Sequence, residues 1–211
     1  MDRALFLLGR HRTGRLRKAP DMRSHPEYPR IARAFARVPA AGWSGVAYRS
    51  VSPAYAGARD LLSGEGVRRH GGRWNAAGSF AVVYASLSPE TAVAEALARV
   101  RHYGIPDADA LPRVLVALDA SLASLADLTD GGARRILGVS RRRLRSEPWR
   151  RAADAGREAL TQAIGRAAFA AGLEALLVPS SASRAGANLV VFPERLRTGS
   201  RLAVRRAGHD A

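Results

Sequence analysis

The sequence predicts a mixed α/β domain, a central sheet of about six strands flanked by helices. Three observations predict it. Phe80 to Ser86 alternates, with Phe80, Val82 and Tyr84 on one side and Ala81, Val83 and Ala85 on the other, as a strand between two layers does. A helix follows from Pro89 to Tyr103: Ser88 suits the N-cap, Pro89 the first helical position and Glu90 the positive end of the dipole, while Gly104 and Pro106 stop it. Arg113 to Asp119 then encloses a continuous apolar run of the kind a buried strand shows. The alternation of strand and helix also suits a doubly wound sheet, but neither GxGxxG nor GxxxxGK[ST] is present, so a Rossmann or P-loop mode of nucleotide binding is unsupported.

In chain order, residues 1–40 read as a basic extension interrupted by Pro20, Pro29 and Pro39. Tyr28 to Val38 forms a short amphipathic helix with Ile31, Phe35 and Val38 on one face, expected to pack on the domain, with residues 1–22 mobile. Residues 41–196 form the domain. Trp43 to Val51 is its first strand, with Tyr48 and Arg49 at the middle, and Ser52 to His70 is expected to be a loop. Gly71-Gly72 allows a tight turn that presents Arg73-Trp74-Asn75. Beyond the apolar run, Asp127 to Asp130 leads into a short helix containing Arg134, Ile136 and Leu137. Ser146-Glu147-Pro148-Trp149 has the signature of a helix start, with Trp149 expected in the core. Thr161 to Ala171 is a further helix with Ile164, Ala167, Ala168 and Ala171 on one side and Gly172 as its stop. Strands follow at Ala175 to Val178 and Leu189 to Phe192, joined by the serine- and glycine-bearing loop Pro179 to Ala187. Residues 197–211 are a basic tail with a final strand near Leu202 to Val204.

Composition sets the outer limits. With 211 residues, 47% of them hydrophobic, the chain holds one core plus extensions. There is no cysteine, which excludes a disulfide framework and a thiol nucleophile, and the five histidines show no metal-ligand spacing, so no metal is expected. No apolar run approaches a membrane span, and Leu5 to Leu8 is too short for a signal segment, so a cytoplasmic soluble protein is expected. The net charge is +16, almost all of it arginine, with Lys18 the only lysine. It clusters at Arg10 to Lys18, Arg141 to Arg145 and Arg201 to Arg206. Such runs usually lie on solvated faces; an acidic protein partner, nucleic acid or the steering of an anionic substrate are their functional readings.

Glu95 is the odd residue, an acid among Ala92, Val93, Ala94, Ala96, Leu97 and Ala98. It either pairs with Arg99 on a solvated helix face or faces a site. Arg73 alone reads equally well as a surface arginine and Tyr84 as a core aromatic. Together, however, the order Arg-Trp-Asn, a glycine turn, Val-Tyr-Ala-Ser, Ser-Pro-Glu-Thr-Ala and a glutamate resembles the RES domain, with Arg73, Tyr84 and Glu95 eleven residues apart in turn. Tyr48-Arg49 resembles that family's early arginine. Val178-Pro179-Ser180-Ser181 followed by Asn188 to Phe192 resembles its serine and closing strand, so that the likeness spans roughly Gly45 to Pro193.

The resemblance implies an ADP-ribosyltransferase-like split or curved sheet and a protein that binds and breaks down NAD+, usually as the toxin of a toxin–antitoxin pair. It implies catalytic roles for Glu95, Arg73 and Tyr84, and substrate-binding roles for Arg49, Tyr48, Arg73, Tyr84, Ser180 and Asn188. Breaking the nicotinamide–ribose bond develops positive charge on the ribose, and an ionised Glu95 beside it is worth ~3–4 kcal/mol of barrier. Arg49 and Arg73 suit the pyrophosphate, because a guanidinium fork matches phosphate oxygens. Tyr84 offers a face to nicotinamide and Ser180, preferred over Ser181, a hydroxyl to the amide or ribose. Asn75 and Asn188 also read as residues that tie loops together. Water, inorganic phosphate or a macromolecule could accept the ribosyl group; water or phosphate is favoured because no macromolecular substrate loop is recognisable. An Xre-type DNA-binding antitoxin is the implied partner, and a homo-oligomer is possible. The competing class is an inactive RES-like basic module that binds nucleic acid or an acidic partner, which explains the charge and leaves the motif unexplained.

Overall fold

The computed structural model describes residues 22–205. Of the extension expected over residues 1–40, residues 1–21, nearly all of the part expected to be mobile, lie outside the described residues, as do the last six residues. Helix α1 (Tyr28–Phe35) buries Ile31, Ala34 and Phe35 in the main core, so its amphipathic face does what its spacing requires. Strand β1 (Ala41–Val51) is followed by two short helices, α2 (Ala58–Ser63) and α3 (Glu65–His70), where the sequence predicts only a loop. Gly64 between them takes φ +68, ending one helix and starting the next, while Leu61 is the residue that α2 buries. Strand β2 (Val83–Ser86) begins three residues later than the alternation suggests. It leads into α4 (Pro89–His102), whose N-cap Ser88 accepts from the Thr91 N–H.

Strand β3 (Val114–Asp127) is twice the expected length. Its second half, Ala120 to Asp127, is rich in alanine and serine and alternates in burial, yet hydrophobicity alone does not mark it as a strand. Four helices then cross over to β4 (Ala175–Pro179): α5 (Gly131–Leu137), α6 (Arg141–Ser146), α7 (Trp149–Asp154) and α8 (Leu160–Ala170). Strands β3 and β4 are parallel, and a parallel pair needs such a crossover. β5 (Ala187–Val191) and β6 (Arg201–Val204) complete six strands in the order β1-β2-β5-β4-β3-β6, and β1 pairs β3 as well.

That extra pairing curls the sheet until β1, β2, β5, β4 and β3 form a ring, with β6 added on β3. One face of every ring strand contributes to a cluster built from strand residues, including Ala47, Val83, Ala85, Leu118, Leu125, Ala175, Leu177 and Leu189. The alanines keep that cluster narrow enough for the ring to close. The other face carries Phe80, Val82, Leu176, Val178, Val190 and Phe192 against Ile31, Leu137, Leu160 and Ile164 of the helices. The expected curved α/β sheet with flanking helices is therefore present. Trp149 is half-buried and stacks under the guanidinium of Arg150, outside both clusters.

Candidate active site

The loop from β4 to β5 is fixed first. Ser180 is fully buried; its N–H donates to Gly186 O at 2.9 Å, and its own carbonyl accepts from Arg145 Nε at 2.7 Å. Gly186 lies so close to α4 that a Cβ there would stand 2.6 Å from Thr91 Oγ1. The turn is thereby pressed against the first turns of α4, where Glu95 projects.

Glu95 does not pair with Arg99. Its Oε1 accepts from Ser180 Oγ at 2.6 Å, Asn188 Nδ2 at 2.8 Å, Ser181 N at 3.0 Å and Ala182 N at 3.3 Å. Among the described residues, Oε2 meets only Ser181 Oγ, at 3.4 Å. Burial pushes the carboxyl up, but the bonds from Ser180, Asn188, Ala182 and Ser181 outweigh it and hold Glu95 below its ordinary range. Asn188 is oriented in turn by Ser86 Oγ, which donates to its Oδ1 at 2.8 Å. The result is an ionised carboxylate with one oxygen saturated and the other open.

Arg73 stands on a second rigid turn. The Tyr84 hydroxyl accepts from Trp74 N at 2.8 Å and donates to Asn75 Oδ1 at 3.0 Å. Gly72 lets that ring approach, since a Cβ there would lie 2.6 Å from the hydroxyl. Gln162 Nε2 of α8 donates to Gly72 O at 3.0 Å. Arg73 Nη1 then donates to Leu144 O at 3.3 Å and Glu147 O at 3.1 Å, fixing the α6–α7 junction. Burial lowers the Arg73 pKa, the nearby Glu95 charge opposes that, and Arg150 adds to it. Burial also pushes the Tyr84 phenol up, so it stays neutral.

The predicted residues separate into three groups. Glu95, Ser180 and Asn188 are in direct contact, and Arg73, with Tyr84 beside it, lies within electrostatic range of Glu95. Arg49 lies at the margin: its Nη1 donates to Leu61 O, while burial and the neighbouring Arg99 bring its pKa down to about 10. Tyr48 does not join them. It pairs across Ala117, whose carbonyl accepts from Arg205 N, and its ring lies beside Arg205, on the opposite strand face from Arg49. Ser180 also departs from its expected role: its proton goes to Glu95, and its oxygen accepts from Ala182 N and Ser183 N, leaving it to position the acid. Asn188, too, is spent on Glu95 and Ser86, as a tie between loops.

Sequence reasoning missed Arg99, which neighbours Arg49, Tyr84, Arg113 and Arg150, and Arg150 itself. Arg99 sits one turn after Glu95, and that spacing was the available signal. Among the described residues, Arg49, Arg73, Arg99, Arg113 and Arg150 form no ion pair with a carboxylate. Cations thus outnumber Glu95 and Glu147, the two acids within electrostatic range of Arg73.

A curled six-stranded sheet with flanking helices, carrying Glu95 near arginines that form no ion pair among the described residues, defines a small α/β protein. The family model described as the RES domain matches residues 47–209, and the chain belongs to that family. Proteins called NAD(+) phosphorylase MbcT, from Mycobacterium bovis and Mycobacterium tuberculosis, are 31% identical to it over 163 residues, covering 74% of this chain and 78% of theirs. A chain in the crystal structure of the M. tuberculosis MbcT–MbcA toxin–antitoxin complex superposes with a TM-score of 0.64 at 29% identity, covering 83% of this chain and 88% of that one.

Proposed function

We propose that this protein is the toxin of a toxin–antitoxin pair and that it cleaves the nicotinamide–ribose bond of NAD+, with inorganic phosphate the favoured acceptor and water the alternative. The observation that carries the reading is the open oxygen of Glu95 beside arginines without acidic partners, in a chain whose relatives bear the name NAD(+) phosphorylase.

The chemistry follows from the charges. When the bond breaks, its electron pair passes to the pyridinium nitrogen, nicotinamide leaves neutral, and the ribose carbon becomes cationic. Glu95 meets that cation as an anion, because its hydrogen bonds keep it ionised at neutral pH. Ser180, Asn188 and the 181–182 backbone need no reorganisation as charge develops, since they already hold the carboxylate. Arg73 and Arg49 take the pyrophosphate, and Tyr84 supports the Arg73 turn while offering its ring face to nicotinamide. An antitoxin, of the Xre type by family resemblance, is the partner that would hold the toxin in check; the MbcT–MbcA pairing in the related structure supports a protein partner.

The test is release of free nicotinamide from NAD+ by the purified full chain, with water alone and with added phosphate. Release stimulated by phosphate, with ADP-ribose phosphorylated at the anomeric carbon as product, is expected. A folded preparation that leaves NAD+ whole under both conditions overturns the proposal.

A further inference from the structure

We propose that Arg150 and Arg99 form an oxyanion subsite beside Glu95 that binds the inorganic phosphate which accepts the ribosyl group, separate from the arginines that hold the pyrophosphate. The inference rests on the NAD+ cleavage proposed above and adds the residues that select the acceptor.

Placement comes first. Glu95, Arg99 and Tyr103 follow one another at intervals of four residues, a single row along α4 and its C-cap. Arg150, on α7, lies within electrostatic range of Glu95 and Arg99, and the Tyr103 hydroxyl is near enough to accept from its guanidinium. The opposing segment is firmly fixed. Arg73 holds the carbonyl of Glu147, Glu147 Oε1 accepts from Leu160 N at 3.1 Å, and Arg145 holds the carbonyl of Ser180, whose hydroxyl holds Glu95. The pieces that carry Arg150, Arg73 and Glu95 are thus one hydrogen-bonded unit.

Availability comes next. The Arg150 guanidinium lies 4.4 Å from the centroid of the Trp149 ring, and its Nε is buried with no hydrogen-bond partner among the described residues. A buried N–H without a partner is costly unless a ligand supplies the acceptor. Arg73 and Arg49 have each committed one Nη to backbone carbonyls, whereas Arg99 and Arg150, like charges within electrostatic range of each other, form no ion pair with a carboxylate among the described residues. A dianion seated between them relieves that repulsion, and the planar fork of arginine matches two phosphate oxygens.

The reaction then balances without a base. An unprotonated oxygen of hydrogen phosphate forms the bond to the ribose carbon, and the carbon–nitrogen bond breaks. The electron pair leaves on nicotinamide, and the acceptor's proton stays on the new phosphate ester. Water, by contrast, must shed a proton to Glu95 or solvent.

The experiment is steady-state nicotinamide release by the full chain with phosphate and NAD+ varied independently, for wild type, Arg150→Gln, Arg150→Lys and Arg99→Gln. Arg150→Gln is expected to raise the KM for phosphate about tenfold and that for NAD+ less than about twofold, the loss of one charge-assisted contact. Arg150→Lys should recover part of the phosphate affinity, and Arg99→Gln should shift the same constant in the same direction. Should Arg150→Gln melt early, the lysine and Arg99 variants decide. A raised KM for NAD+ with that for phosphate unchanged would assign Arg150 to the dinucleotide and overturn the subsite. Wild-type release indifferent to phosphate would overturn it too, while leaving NAD+ cleavage by water standing. Absence of release with any acceptor would remove both.

Discussion

Glu95 and Glu174 are both acids held by hydrogen bonds below their ordinary range, and they sit in opposite chemical situations. Glu174 is fully buried and both its oxygens are spent. Oε2 accepts from Ala123 N at 2.6 Å and Ser124 N at 3.3 Å, Oε1 from Arg197 N at 2.8 Å, and Ser200 Oγ bridges the two. It ties the start of β4 to β3 and to the turn before β6. Glu95, a half-exposed residue within electrostatic range of Arg73 and Arg150, collects its donors on one oxygen and leaves the other with the long Ser181 contact. Burial raises both carboxyls and hydrogen bonds more than reverse it, so their pKa values move alike. What separates a staple from a catalytic candidate is the distribution of donors over the two oxygens, not the degree of burial or the direction of the shift.

Glu95→Gln should break the comparison most sharply. The amide oxygen can still accept from Ser180 and Asn188, so the fold survives, but the charge is gone. Nicotinamide release should fall at least 10²-fold, about 3 kcal/mol of barrier, with little change in melting temperature. Glu174→Gln should do the reverse. Its amide places N–H groups against N–H groups, costing about 1–3 kcal/mol and roughly 2–4 °C of melting temperature per kcal/mol, while activity per folded molecule is kept. Ser180→Ala should be milder, about a tenfold loss for one hydrogen bond to a charged group. Losing that donor raises the Glu95 pKa, so the acid limb of the rate profile should move to higher pH.

The smallest expected effect is on stability. Both folded pKa values lie below the unstructured value of 4.5, so each acid contributes stability fully above that value and loses it as pH falls through the folded pKa. Melting temperature should be flat near neutral pH and drop in the acid range. Glu174→Gln should flatten that drop, measurable by thermal scans across pH.

What could be read from the sequence was local. Ser88-Pro89, the sidedness of Phe80, Val82 and Tyr84 and the stop at Gly172 depend on neighbours within a few residues and come out as their chemistry dictates, although the strand itself starts only at Val83. Arg73, Tyr84 and Glu95 were legible as a set only through family likeness. Their convergence is set by the Tyr84 hydroxyl, by Gly72 and by the serine turn, none of which has a periodic signature. Spacing put Arg99 on the Glu95 face, but it could not show that the 180–188 segment would take the carboxylate first. Arg150 was invisible because only the long β3-to-β4 crossover carries it back to α4, and Tyr48 was misplaced because strand alternation turns it from Arg49.

The most direct test of the Glu95 assignment is carbon NMR of the glutamate side-chain carboxyl carbons in the full chain, titrated with ADP-ribose. The Glu95 carboxylate should move with saturation while that of Glu174 stays where it is. A Glu95 signal unmoved at saturating ADP-ribose, or a Glu174 signal that moves in its place, would contradict the account.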